Sequence, residues 1–178
     1  MRRNVATLFL QYARLERKRS VEGLSPLEEE IWANLRRYLS KRLNPEAPKG
    51  DDRRASLRVA TEISCTWAPV ARAHDGSVVN LSRSGVFLRT EAPPPVGEEI
   101  SIRFALPEGG VLEVAGIVAN HAQGSDPARR GMGVRFGPMA PHAMKIIDDL
   151  YQRSIVRQFG KPDDEEAPIT DPFTGDLE

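Results

Sequence analysis

Arg53, Arg54 and Arg58 fall within one short stretch of the chain, and a second polar group follows in Asn80-Leu81-Ser82-Arg83-Ser84-Gly85. A guanidinium is always charged, and its planar fork of donors matches a phosphate or the acceptor edge of a purine. An asparagine amide donates and accepts, and a serine hydroxyl does both from a single atom. Gly85 permits either a positive backbone angle or the close approach of a ligand. The chemistry that these residue types support is the holding of a polyanion. Taken separately, each group also has a plainer reading, as a solvated arginine run and as a tight turn between strands.

Nothing else in the chain gathers into a catalytic set. His74, His121 and His142 are scattered without the spacing that metal ligation needs. Glu28, Glu29 and Glu30 are consecutive, so on a helix they point in different directions and read as surface and cap, and Asp148-Asp149 has the same plain reading. Gly109-Gly110 lacks the context of a phosphate-binding loop. Ser82 has no evident histidine and aspartate partners, which makes it a hydrogen-bonding hydroxyl. The sequence therefore predicts a binding protein and not an enzyme, with no metal and no cofactor.

The chain has 178 residues, enough for one core of ordinary size, with 40% hydrophobic and 28% charged residues. Net charge is zero but unevenly spread: residues 1–50 carry 11 Lys/Arg against 6 Asp/Glu, and the stretch from Gly160 onward carries 1 against 7. A basic front of this kind suits an anionic partner or the wet face of helices. The single cysteine, Cys65, excludes an intramolecular disulfide, and its alternation with Ile63 and Trp67 marks a core position. Charged residues interrupt every apolar stretch, so neither a secretory leader nor membrane insertion is expected, and the protein is read as cytoplasmic.

The elements that must position the two polar groups follow from hydrophobic spacing. Val5, Leu8, Phe9, Tyr12 and Leu15 recur at helical steps. After a break at residues 20–23, Ser25, Pro26 and Glu28 supply an N-cap, a first-turn proline and a capping-box acid for a second helix, with Ile31, Leu35, Tyr38 and Leu39 on its apolar side. A helical hairpin buries little alone. Its face therefore predicts packing on the following domain or a homodimer through Leu8, Phe9, Tyr12, Ile31, Leu35, Tyr38 and Leu39. Residues 46–52 form a polar connection.

Beyond residue 52 the period changes to two. Val59, Thr61, Ile63, Cys65 and Trp67 share one side of a strand, and Asp75-Gly76 reads as a turn. Further strands are predicted around Ser77–Val79, Val86–Thr90, Ile100–Leu106, Val111–Ala119 and Gly131–Phe136. Six short strands with glycine turns predict a closed or nearly closed antiparallel β-barrel, which hides their edges. After Pro141, Met144, Ile147, Leu150 or Tyr151, and Ile155 fall on one face of a C-terminal helix, with Phe159 near its end. The expected organisation is an N-terminal helical hairpin at 1–45, a linker at 46–52, a barrel with its helix at 53–160, and an acidic, disordered segment at 161–178.

Arg54-x-x-x-Arg58 followed by Asn80-x-Ser82-x-x-Gly85 resembles the two-part signature of PilZ domains, the bacterial receptors for cyclic di-GMP, and Gly131-Met132-Gly133-Val134-Arg135-Phe136 is similar to that family's last strand. The resemblance spans roughly residues 51–160. It implies a six-stranded antiparallel barrel with a C-terminal helix and a mobile arginine loop that folds over the dinucleotide. By the same resemblance Arg54 and Arg58, with Arg53 adding a contact, would hold guanine edges and phosphates of one or two ligand molecules. Asn80 and Ser82 would face a guanine from the barrel wall, with Gly85 allowing the turn. The function so implied is a second-messenger receptor that changes conformation on binding and signals to a downstream protein. The competing readings are a ligand-independent adaptor built on the same barrel and, with less support, a nucleic-acid binder that uses the basic N-terminal region.

Overall fold

Strand-forming residues at alternate positions build the barrel. The computed structural model describes residues 4–43, 56–69, 72–123, 127 and 130–160. The strands are β1 (Val59–Ala68), β2 (His74–Ser82), β3 (Gly85–Arg89), β4 (Glu99–Ala105), β5 (Val111–Ala122) and β6 (Gly131–Phe136). Every neighbouring pair is antiparallel, and the order β1-β2-β3-β6-β5-β4 closes on itself through β1 and β4. Closure leaves no unpaired edge, which is the reason the pattern of short strands is stable.

The barrel interior is filled by Val59, Cys65, Trp67, Val78, Leu81, Leu88, Ile102, Phe104, Val118, Met132 and Val134, all buried. Each large apolar side chain of this kind contributes about 1.5–3 kcal/mol on burial. Bulges lie between Ala60 and Ile63 in β1, between Val78 and Asn80 in β2, and between Val118 and Asn120 in β5. The bulge in β2 shifts the alternation by one, so Val78 and Leu81 both point inward although they are three apart.

Asp75-Gly76 is not the turn that its composition suggests. Both residues lie inside β2, where Gly76 pairs with Cys65. A Cβ on Gly76 would stand 3.1 Å from the Trp67 ring, so the glycine is there to make room for the indole and not to bend the chain. Strand β5 likewise runs on to Ala122, beyond the expected stop at Ala119.

The chain divides into two compact units, Arg58–Ser154 and a second composed of Met1–Leu57 with Ile155–Glu178. In the second unit, α1 (Val5–Val21) and α2 (Pro26–Leu43) form the expected hairpin. Asn4 caps α1 by accepting from the Thr7 amide. The predicted capping box of α2 is present: the Ser25 amide donates to Glu28 Oε2 at 2.9 Å, and the Glu28 amide donates to Ser25 Oγ at 3.4 Å. Lys18 and Glu28 (2.6 Å) and Arg19 and Glu29 (2.9 Å) tie the helices together. Tyr12 stacks on Trp32 and donates to Glu16 Oε1, and burial together with that carboxylate pushes its phenol well above the ordinary range.

Leu8, Phe9, Tyr12, Ile31, Leu35 and Leu39 are buried within the single chain, and only Tyr38 of the expected self-association face is half-exposed. Those apolar side chains are already covered, so they present no open face for a second copy. The third helix, α3 (Pro141–Phe159), buries Ala143, Ile147, Leu150, Tyr151, Ser154 and Ile155, whereas Met144 is 39% exposed and does not join that face. Linker residues 46–52 and the acidic stretch 161–178 lie outside the described residues. Among the described residues no helix is long and apolar enough to cross a membrane.

Candidate functional site

Strand pairing, not sequence proximity, brings the start of β1 beside the second polar group. Val59 pairs with Leu81 and Ala60 with Asn80. Arg58 therefore enters β1 one step outside the Val59–Leu81 pair, beside Ser82. Asn80 and Ser82 are two apart on β2, on the side opposite the inward-facing Leu81. Arg58 and Asn80 are both half-buried. The Ala60–Asn80 pair borders the bulges of both strands, the local irregularity that re-aims side chains at a strand end. Arg53 and Arg54 lie outside the described residues.

The turn itself is held from within. Ser82 is 2% exposed, its hydroxyl donates to the Gly85 carbonyl at 3.0 Å, and Ser84 Oγ lies 3.4 Å away. Ser82 pairs with Gly85 in the β2–β3 ladder, leaving Arg83 and Ser84 as the turn. Gly85 has no positive φ, in contrast to one of the two roles expected for it. A Cβ there would press well inside van der Waals contact with the Val134 carbonyl, so this glycine admits the backbone of β6.

Arg83, within the second polar group, donates from Nε to Asp148 Oδ1 at 2.7 Å, with the two side chains only 11% and 14% exposed. The Ser154 hydroxyl is hydrogen-bonded to the Leu150 carbonyl at 2.8 Å and to the Thr61 hydroxyl at 2.9 Å. Helix α3 is thus fastened to the turn through Arg83 and to β1 through Thr61. Asp148 is consequently not a plain surface acid. Its partner is 65 residues away in sequence, and no spacing rule reaches that far.

Arg135 is a residue the sequence reading left out. It pairs with Gly85 across β3–β6 and is exposed. With Met132 and Val134 buried inside the barrel, alternation places Arg135 on the outer face. Ser82, Gly85 and Arg135 therefore form one row across three adjacent strands. The outward position was legible from period two; the row was not, because it requires β3 to pair with β6 instead of its neighbour in sequence.

The histidines have structural surroundings. His74 stacks on Trp67 at 4.5 Å, His121 Nε2 lies 2.7 Å from the Pro94 carbonyl, and His142 is exposed in the first turn of α3. Among the described residues no three His, Cys, Asp or Glu side chains gather as metal ligands. Burial, and then the nearby Asp75 carboxylate, push the Cys65 thiol up to about 11. The β1–β2–β3 end carries a guanidinium, an amide and hydroxyls, groups able to donate hydrogen bonds to an anion.

Comparison with known domain families matches residues 52–153, more than half of the chain, to the PilZ domain. Comparison with curated proteins finds no match. Among solved structures, the fold is similar to Bacillus subtilis Inhibitor of motility (MotI/DgrA), with 19% identity over 65% of this chain and 57% of that one and a TM-score of 0.51. It is similar to K. pneumonia MrkH in its apo state, with 15% identity over 63% and 55% of the two chains and a TM-score of 0.50. It is also similar to the PilZ domain of Escherichia coli YcgR determined with c-di-GMP, with 15% identity over 60% and 97% and a TM-score of 0.46. The matched part spans little more than half the length of the first two proteins. Identities this low speak for the fold alone, whereas the family match rests on the sequence of the barrel itself: this chain belongs to the PilZ domain family.

Proposed function

We propose that the chain is a receptor for cyclic di-GMP, and not an enzyme. The observation that supports this reading is the β1–β2 register, in which Val59, next to Arg58 in sequence, pairs with Leu81, between Asn80 and Ser82. A guanidinium there can fork onto guanine O6 and N7 or onto a phosphate, and the Asn80 amide can pair with a base edge. Ser82 and Gly85 shape the turn that presents Asn80. Arg53 and Arg54 complete the arginine set by their place in the family's first motif, and Arg135 flanks the same end of the barrel. Membership of the PilZ family supports the ligand class. The ligand is one dinucleotide or a stacked pair.

Binding neutralises Arg53, Arg54 and Arg58 and orders the segment that carries them, and a downstream protein reads the ordered state. That relay requires the ligand to contact the two states differently. Calorimetric titration with cyclic di-GMP, with GTP as the competing guanine nucleotide, tests the reading. Saturable binding of the cyclic dinucleotide alone is expected; equal response to both, or to neither, would remove the receptor assignment.

A further inference from the structure

The helical unit carries a cationic stripe that nothing in the receptor reading uses. Along α1, half-buried Leu10 is followed by exposed Arg14, Arg17 and Val21, four, three and four residues apart, so the four share one outward face. Lys18 and Arg19, on the neighbouring side, are bound to Glu28 and Glu29. The guanidinium groups of Arg14 and Arg17 make no ion pair or hydrogen bond among the described residues, and only the Arg17 carbonyl is used, by the Ser20 hydroxyl. Val21 is 73% exposed.

The same unit is where α3 ends. Phe159 stacks on Phe9 of α1 at 5.8 Å, and Gly160 closes the helix with φ of 86° and its amide on the Val156 carbonyl. The chain therefore leaves α3 beside α1. Arg14 and Arg17 lie five and eight residues beyond Phe9, roughly 8 and 12 Å along the helix axis. Four consecutive carboxylates, Asp163-Asp164-Glu165-Glu166, begin four residues after Phe159, a reach of roughly 13 Å in extended chain. Ile169 follows them, as Val21 follows Arg17.

We propose that this stripe of α1 is a docking surface for residues 163–169 of the same chain, the carboxylates against Arg14 and Arg17 and Ile169 against Val21. The contact is electrostatic and exposed, so it weakens with salt. It also denies the stripe to other polyanions.

A nitroxide placed at Glu165→Cys in a full chain whose buried Cys65 is replaced by Cys65→Ser tests this. At about 0.05 M salt the amide signals of residues 14–21 should broaden strongly. The effect should fall on the order of tenfold at about 0.5 M salt, and be lost in an Arg14→Glu, Arg17→Glu chain whose far-ultraviolet circular dichroism matches the parent. Absence of broadening at low salt, or its persistence in the charge-reversed chain, overturns the proposal. Broadening that reaches an isotope-labelled, unspin-labelled chain mixed with a spin-labelled one would transfer the contact to a second copy and overturn it equally.

Discussion

The Ser82 hydroxyl donates to the carbonyl of Gly85 at 3.0 Å, closing the β2–β3 turn from inside. Both residues belong to the second polar group, and each has a task within the fold. The serine spends its proton on the turn, and the glycine makes way for the Val134 carbonyl of β6. Substitution should separate fold from ligand contact. Gly85→Ala should destabilise the barrel by roughly 1–3 kcal/mol through overpacking. Ser82→Ala should cost about 1 kcal/mol through the lost hydrogen bond. Denaturant unfolding measures both, and an unchanged midpoint for Gly85→Ala would contradict the close approach.

Arg83 and Asp148 make a second relationship of this kind. Because both are largely removed from water, deleting one partner strands the other. Arg83→Ala or Asp148→Ala should each cost about 3 kcal/mol. The double variant should cost much less than the sum, since no lone charge is then left buried. Additive losses in thermal or chemical unfolding would show that the pair is not coupled.

How much of this was visible beforehand depends on the range of the interaction. The helix caps were legible because Ser25, Pro26 and Glu28 act within one turn of chain. The closed barrel was legible because six alternating segments have few other ways to hide their edges. The start of β2 was not: Asp75-Gly76 mimics a turn in composition, and only the bulk of Trp67 across the ladder explains a glycine inside the strand. Arg83–Asp148 and the Ser82–Gly85–Arg135 row were hidden for the same reason, since both depend on which distant strands and helices meet. The apolar face of the hairpin was legible as a buried face, and its side chains are covered within the chain.

Cys65 offers a test of the core. With its thiol raised to about 11 and its side chain buried, it should resist alkylation at pH 8 in the folded chain and react promptly in denaturant. Labelling followed by mass spectrometry reads the difference. Rapid modification of the native chain would place Cys65 outside the barrel interior.

Glu28 supplies a pH-dependent contribution in the hairpin. The Lys18 ammonium, and then the Ser25 amide and hydroxyl, hold its carboxyl down at about 2, against an ordinary value of 4.5. A group depressed on folding stabilises above its unfolded value and loses that contribution as pH falls toward the folded one. Glu28→Gln should therefore lower the Tm at pH 7, and the gap from the parent should close between pH 4.5 and about 2. A gap that stays constant over that window would contradict the assigned pairing.

The most direct test of the receptor account sets Arg58→Ala beside the parent in calorimetric titrations with cyclic di-GMP. The account predicts saturable binding by the parent and a loss of about 2 kcal/mol in the variant, or roughly 30-fold in Kd, with the thermal unfolding of the barrel unchanged. Equal affinities in the two proteins, or no binding by the parent, would contradict it.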